Sequence, residues 1–350
     1  MALYVDIRKR CGDFLLEVSF ETDREMFAIL GASGCGKSLT LKCIAGIEKP
    51  DAGVIRLDDT VLFDSERKIN VPTRKRGIGY LFQDYALFPN MTVYQNILCG
   101  AGNKKKAYEY IEKFVLEGKE ELYPAQLSGG QKQRVALARM LSQAPRLVML
   151  DEPFSALDNY LKTQLEREVM NAMEEFGNGG IFVSHDRNEV YRLTDRIAVM
   201  ENGSIADIQD KHRLFEAPKT LAATLLTGCK NITRLERRGD GFYALDWGIL
   251  LTAVKDPQDG NDFRYAGVRA HFLEPADESL NGTENVVACD ILRVIEDTFS
   301  MIVLFTSRTA AEKTGYAVMT YELSKEEWEA VKDKPLYLKI PADKLILMCR

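Results

Sequence analysis

The chain is 350 residues long, 46% hydrophobic and 28% charged, with a formal net charge of -6. Its length favours two domains, each able to bury a core, and its composition excludes the disordered and fibrous classes. The acidic balance argues against a surface that tracks nucleic-acid phosphates, so no nucleic-acid partner is expected. No stretch approaches the roughly 20 apolar residues of a membrane-spanning helix, and Met1 to Asp13 alternates charged with apolar residues where a signal peptide needs an apolar block. A cytosolic chain is expected. Its seven cysteines are widely spaced and form no C-x-x-C pair, so they read as reduced thiols.

From Met1 to about Thr227 short apolar runs alternate with amphipathic segments, the pattern of a layered α/β domain. Met26 to Leu30 reads as a strand buried on both faces. It runs into Gly31-Ala-Ser-Gly-Cys-Gly-Lys-Ser38, which fits G-x-x-x-x-G-K-[ST] and opens a helical stretch, Lys37 to Ala45, that Gly46 can close. Such a loop turns backbone N–H groups toward one polyphosphate, with a helix N-terminus directly behind. Gly31, Ser33, Gly34, Cys35, Gly36, Lys37, Ser38 and Leu39 are therefore the candidate nucleotide contacts. Lys37 supplies a cation to the β- and γ-phosphates, and Ser38 a hydroxyl to Mg²⁺.

Ile78 to Phe82 is the next buried run, followed by Gln83. Helices are expected over about residues 84–146, among them one from about Gln131 to Leu141 preceded by Ser128, Gly129 and Gly130. The amides at that helix start can receive an anion. Leu147 to Leu150 then carry Asp151-Glu152 to the carboxyl end of a buried strand, where ligands of open α/β sheets collect. Asp151 is assigned to Mg²⁺ through its water shell and Glu152 to the attacking water. Ile181 to Ser184 leads into His185, and Ile197 to Met200 is the last run of this kind.

Leu127-Ser-Gly-Gly-Gln131, with Lys132-Gln-Arg134 behind it, resembles the signature motif of the ABC ATPases, and the resemblance covers about residues 1–227. It implies a P-loop NTPase fold with a helical subdomain, and ATP and Mg²⁺ as cofactors. Gln83 resembles the residue that senses Mg²⁺ and the membrane partner, Ser155-Ala-Leu-Asp158 the D-loop, and His185 the histidine that contacts the γ-phosphate and the attacking water. Nucleotide contacts are thereby extended to Gln83, Ser128, Gly129, Gly130, Gln131 and Asp158, with Ser38, Gln83 and Asp151 around the metal. The aromatic that stacks on adenine in many members has no counterpart at Arg8 to Gly12, and Phe14 is a weak substitute. In this family the signature motif faces the phosphate loop of a second copy, which implies a head-to-tail homodimer on the cytoplasmic face of a membrane, driving separate permease subunits.

The segment Phe82 to Ile97 resembles the importer branch that serves molybdate, sulfate, iron, polyamines and sugars together with an extracytoplasmic solute-binding protein. The short helical region looks most like the molybdate ATPase. After about residue 228 the texture turns to alternating strand-like runs, Phe242 to Trp247, Ala288 to Val294, Met301 to Phe305 and Leu336 to Ile340, which favour a small β-rich barrel. Residues from about 285 to 350 resemble the oxyanion-binding TOBE or Mop module, with an unliganded dimerisation barrel as the alternative; Ser300 and Thr306 to Arg308 are placed near the anion site and are not assigned as ligands. Gly267 to His271 resembles a strand motif with a packing role.

Overall fold

The computed structural model describes residues 2–155, 159–239, 241–252, 263–310 and 316–349, without the side chains of residues 159–161. Two compact units divide the chain, Met1–Lys211 and His212–Arg350.

The described strands of the first unit are β1 (Leu3–Cys11), β2 (Phe14–Thr22), β3 (Met26–Leu30), β4 (Ala52–Leu57), β5 (Thr60–Asp64), β6 (Ile69–Asn70), β7 (Ile78–Leu81), β8 (Leu147–Asp151), β9 (Gly180–Ser184), β10 (Arg196–Glu201) and β11 (Ser204–Asp210). They make one sheet in the order β6-β5-β4-β1-β2-β11-β10-β3-β9-β8-β7. Its β10-β3-β9-β8-β7 half is parallel. The residues of β8 and β9 are buried without exception, because layers of structure cover both faces of a parallel sheet and no polar alternation is needed. The β2-β1-β4-β5-β6 half is antiparallel and alternates buried with exposed side chains along β1 and β2.

The helices of this unit are α1 (Lys37–Ala45), α2 (Val93–Ala101), α3 (Lys104–Lys113), α4 (Gly129–Leu141), α5 (Asn159–Phe176) and α6 (Arg187–Leu193). Of these, α2, α3 and α4 follow β7 and pack on one another. The helix expected from Gln131 begins two residues earlier, since Ser128 is its N-cap and the two glycines form its first turn. As expected, α1 ends at Gly46, which takes the left-handed conformation at φ 77. A Cβ there would lie 2.5 Å from Arg76 Nε.

Arg76 is 1% exposed and has no carboxylate partner among the described residues; it donates to Val71 O at 2.8 Å, Cys43 O at 3.0 Å, Ile44 O at 2.7 Å and Asn70 Oδ1 at 2.9 Å. Two of those carbonyls belong to the last turn of α1, so a buried cation sits at the negative end of the helix that follows the glycine-rich loop. Burial holds its guanidinium below the usual arginine range.

The division between the units falls at the start of α7 (Lys211–Glu216). The second unit carries α8 (Leu221–Leu226), α9 (Lys325–Val331) and the strands β12 (Asn231–Arg238), β13 (Gly241–Ala244), β14 (Ile249–Leu251), β15 (Tyr265–Val268), β16 (Glu274–Pro275), β17 (Val286–Glu296), β18 (Ser300–Ser307), β19 (Val318–Ser324), β20 (Tyr337–Lys339) and β21 (Ile346–Met348). They form two five-stranded antiparallel sheets, β14-β13-β12-β15-β21 and β16-β20-β17-β18-β19. One core, including Trp247, Val268, Leu338, Phe305 and Met319, draws on both. Asn231 ties them by donating to Thr320 O at 2.8 Å and accepting from Thr320 N at 2.6 Å.

Replacing Arg76 by Met would remove the donor from the buried Cys43 O and Ile44 O and from the part-buried Val71 O and Asn70 Oδ1. Urea unfolding of Arg76→Met should show a loss of about 2 kcal/mol, since an orphaned buried acceptor costs roughly 1 to 3 kcal/mol and the part-buried ones cost little. A loss below about 1 kcal/mol would refute the capping role.

Candidate functional site

The site forms where the parallel strands end together. Leu30 of β3 stands opposite Ser184 of β9, and Val183 opposite Asp151 of β8, so the loop at Gly31, the carboxylates Asp151 and Glu152, and His185 leave the sheet at one edge.

Gly34 and Gly36 have φ of 82 and 111, in the left-handed region open to glycine. A Cβ on Gly36 would meet Met200 Cε at 2.8 Å, Leu16 Cδ1 at 2.9 Å and Phe14 Cζ at 3.1 Å, so Phe14 flanks the loop. Ala32, Ser33 and Gly34 are exposed, whereas Gly31, Cys35 and Lys37 are buried and Gly36, Ser38 and Leu39 half-buried. Burial pushes the Cys35 thiol up, against a smaller downward pull from Lys37, so it is not a ready nucleophile.

Helix α1 starts without any side-chain cap and without an acidic residue in its first turn. By contrast α2, α3, α4, α6, α8 and α9 begin at Thr92, Asn103, Ser128, Asp186, Thr220 and Ser324, each of which accepts a backbone N–H. The first amides and positive dipole end of α1 are therefore left for an anion from outside the helix. Lys37 folds back over the loop, its Nζ 2.7 Å from Gly31 O, 3.0 Å from Ala32 O and 3.8 Å from Glu152 Oε1.

Ser38 Oγ donates to Asp151 Oδ1 at 2.8 Å, while Tyr80 OH holds Asp151 Oδ2 at 2.7 Å. Burial, with Asp151 adding to it, pushes the Tyr80 hydroxyl well above its usual range, so it stays a donor. Two fixed hard oxygens beside a phosphate loop fit Mg²⁺, which takes one or two protein oxygens and fills the rest of its octahedron with phosphate and water. No cluster of three metal-ligating side chains exists among the described residues, and such a site needs none.

Glu152 lies one residue past the strand at φ 45, a left-handed conformation that costs a non-glycine residue of order 1 kcal/mol. Its N–H bonds Val183 O at 2.9 Å, and Ser155 Oγ donates to its carbonyl at 3.0 Å. Its Oε2 is 3.2 Å from His185 Nδ1 and 3.5 Å from Gln83 Nε2, which also lies 3.3 Å from Ser155 Oγ. Behind His185, Lys162 of α5 bonds Asp186 Oδ2 at 2.7 Å and Glu189 Oε1 at 2.6 Å.

Lys37, Ser38, Gln83, Asp151, Glu152 and His185 thus converge. Ser128, Gly129, Gly130 and Gln131 do not join them. Ser128 and Gly129 face outward at the start of α4, where Ser128 N donates to Gln131 Oε1 at 3.0 Å and Gln131 N to Ser128 Oγ at 3.4 Å. Among the described residues no hydrogen bond or ion pair links them to the loop. Asp158 lies outside the described residues. In the second unit Arg308 donates to Asp290 Oδ1 at 2.8 Å and to Cys289 O at 3.1 Å. Sequence reasoning missed Tyr80, Lys162 and Glu189. Tyr80 sits within an apolar strand, where only the pairing of that strand with the one carrying Asp151 would have pointed to it.

Residues 16–155 match the family model described as ABC transporter. The Fe(3+) ions import ATP-binding protein FbpC of Haemophilus influenzae (strain 86-028NP) is 43% identical over 223 residues, 61% of this chain and 63% of that protein. The chain therefore spans less than two thirds of that relative. The sulfate/thiosulfate import ATP-binding protein CysA 2 of Chromobacterium violaceum is 37% identical over 281 residues, 78% of this chain and 73% of that protein. A solved dimeric structure of a post-hydrolysis state of the ATP-binding cassette MJ0796, bound to ADP and Pi, superposes with a TM-score of 0.51 at 28% identity, covering 60% of this chain and 99% of that one.

Burial pushes the Asp186 carboxyl up, but the Lys162 ammonium and the N–H groups of Asn188 and Glu189 outweigh it and hold the group below the usual carboxylate range. Burial likewise lowers Lys162, and its bonds to Asp186 and Glu189 more than reverse this. A lowered carboxyl stabilises the fold above its unfolded pKa and loses that contribution as pH falls through its folded value. A raised amine stabilises below its unfolded pKa and loses it as pH rises through its folded value. The stability gap between wild type and Asp186→Asn, read by urea unfolding, should be steady near neutral pH and shrink below about pH 4 and above about pH 10. A gap that stays constant into acid would refute this.

Proposed function

The chain belongs to the ABC transporter family of import ATP-binding proteins, and from that membership we propose that it is the ATP-hydrolysing subunit of an importer. The observation that carries the reading is the uncapped start of α1, with buried Lys37 on one side and Glu152 and His185 on the other. A triphosphate takes the free amides, and its oxygens replace the carbonyls of Gly31 and Ala32 as partners of Lys37. Mg²⁺ arriving with the nucleotide would be held by Ser38 and Asp151 and would offset charge on the β- and γ-phosphates. Glu152 accepts a proton from the attacking water, and His185 orients that water and the γ-phosphate. Gln83 links Glu152 to the segment 83–97, which seats a permease subunit.

The Ser128 end of α4 is assigned to the γ-phosphate held by a second copy, so that two chains close head to tail over two nucleotides. A partner permease places the chain at the cytoplasmic face of a membrane, and no helix among the described residues is long and apolar enough to cross one. An extracytoplasmic solute-binding protein completes the system.

For the solute we take a tetrahedral oxyanion, since a sulfate/thiosulfate import protein aligns over 78% of the chain; molybdate, expected from the sequence, belongs to the same chemical class. The second unit is assigned a regulatory role, as a TOBE- or Mop-like module over about 285–350 that binds the same anion. Equilibrium dialysis of the intact chain with sulfate, molybdate and tungstate should detect micromolar binding, and no binding of any of them would remove that assignment.

Glu152→Gln should bind ATP within about threefold of wild type, turn over at least about a hundredfold more slowly, and elute as a dimer with ATP on size-exclusion chromatography. Lys37→Ala should lose nucleotide affinity instead. A Glu152→Gln variant that hydrolyses ATP at the wild-type rate would overturn the reading.

A further inference from the structure

The geometry points to Lys162 as a positioning residue for hydrolysis: from α5 it clamps the turn that carries His185 and so holds the imidazole against Glu152. The inference rests on the ATPase reading above.

His185 stands between two anchored neighbours. Ser184 Oγ donates to Glu189 Oε2 at 2.5 Å and accepts from Asp186 N at 2.9 Å, and Asp186 Oδ1 caps α6 by accepting from Asn188 N at 2.8 Å. The other oxygens of those two carboxylates, Asp186 Oδ2 and Glu189 Oε1, meet on the Lys162 ammonium. One cation on a separate helix thus closes the turn from both sides, while the half-exposed imidazole lies with its Nδ1 3.2 Å from Glu152 Oε2. Lys162, Asp186, Glu189, His185 and Glu152 line a common cavity of about 120 Å³. Among the described residues Lys162 makes no hydrogen bond or ion pair with Glu152 or with the phosphate loop, so it acts through the turn and not on the nucleotide.

Without the ammonium, Asp186 and Glu189 become neighbouring carboxylates with no shared cation, and their repulsion loosens the turn. Helix α5 still docks on α6, because Arg192 donates to Glu166 Oε2 at 3.0 Å and Oε1 at 2.7 Å. The expected lesion is a small displacement of His185, and a catalytic group misplaced by about 1 Å can cost roughly a hundredfold in rate.

The test compares wild type, Lys162→Met and Lys162→Arg for ATP turnover, ATP affinity and amide hydrogen exchange. Lys162→Met should lower kcat roughly ten- to a hundredfold with KM for ATP within about twofold. Exchange should quicken at residues 184–190 and stay unchanged at residues 31–45. Lys162→Arg, which keeps the cation, should restore both. Should Lys162→Met fail to fold, Glu189→Gln, which removes one of the two clamped charges at constant volume, is expected to give the same split. Turnover equal to wild type, or a parallel loss of ATP affinity, would overturn the clamp while leaving the motor reading intact. A wild-type chain that does not hydrolyse ATP would overturn both.

Discussion

The register of three parallel strands is the constraint on which the site depends. Because Leu30 pairs with Ser184 and Val183 with Asp151, the residues that follow on each strand leave the sheet side by side. A slip of one residue between β8 and β9 would carry Glu152 about 3.3 Å along the strand and turn its neighbours to the opposite face. Every residue of β8 and β9 is enclosed, so a slipped pairing would have to repack side chains on both faces of the sheet.

On this platform the helix behind the loop is built asymmetrically. Its last turn is closed by Gly46 and by the buried Arg76, which satisfies carbonyls there and places a positive charge at the negative end. Its first turn has no side-chain cap and no acidic residue. Most helices here spend a serine, threonine, asparagine or aspartate on their own start, and α1 alone among those described with an N-cap residue starts bare. Stabilisation is concentrated at the far end of α1 while the near end is kept for a ligand. Glu152 shows the same economy, its left-handed backbone being held by Val183 and Ser155 so that the carboxylate meets His185.

Much of this was legible because the relevant strands are continuous apolar runs. Met26–Leu30 and Leu147–Asp151 stand at the bounds read from the sequence, as does the helix from Lys37 to Ala45 with its glycine stop. What stayed hidden depends on long-range pairing. Arg76 lies beside Arg74 and Lys75 in what reads as a solvated basic run, yet its side chain is enclosed by partners more than thirty residues away in sequence as well as by near ones. Lys162 belongs to a helix rich in charge and meets its carboxylates 24 and 27 residues further on. In the second unit the run from Phe242 to Trp247 is strand only to Ala244, because the chain turns at Gly248 and buries Trp247 in the core.

The starts of α1 and α4, both assigned to phosphate in the proposed function, differ in a way that bears on assembly. Helix α1 begins bare and recessed, whereas α4 begins with a reciprocal Ser128–Gln131 box and an exposed Gly129. A helix that caps its own start is stable before any ligand arrives, so α4 can stand at the surface, and its exposed Ser128 and Gly129 face outward. A bare start is less stable alone and gains from an anion. In the proposed function the triphosphate is thus held by the bare start of α1, and its outer phosphate meets a preformed donor. Since no described contact brings α4 to the loop of its own chain, a donor of that kind is suited to a nucleotide carried by another copy.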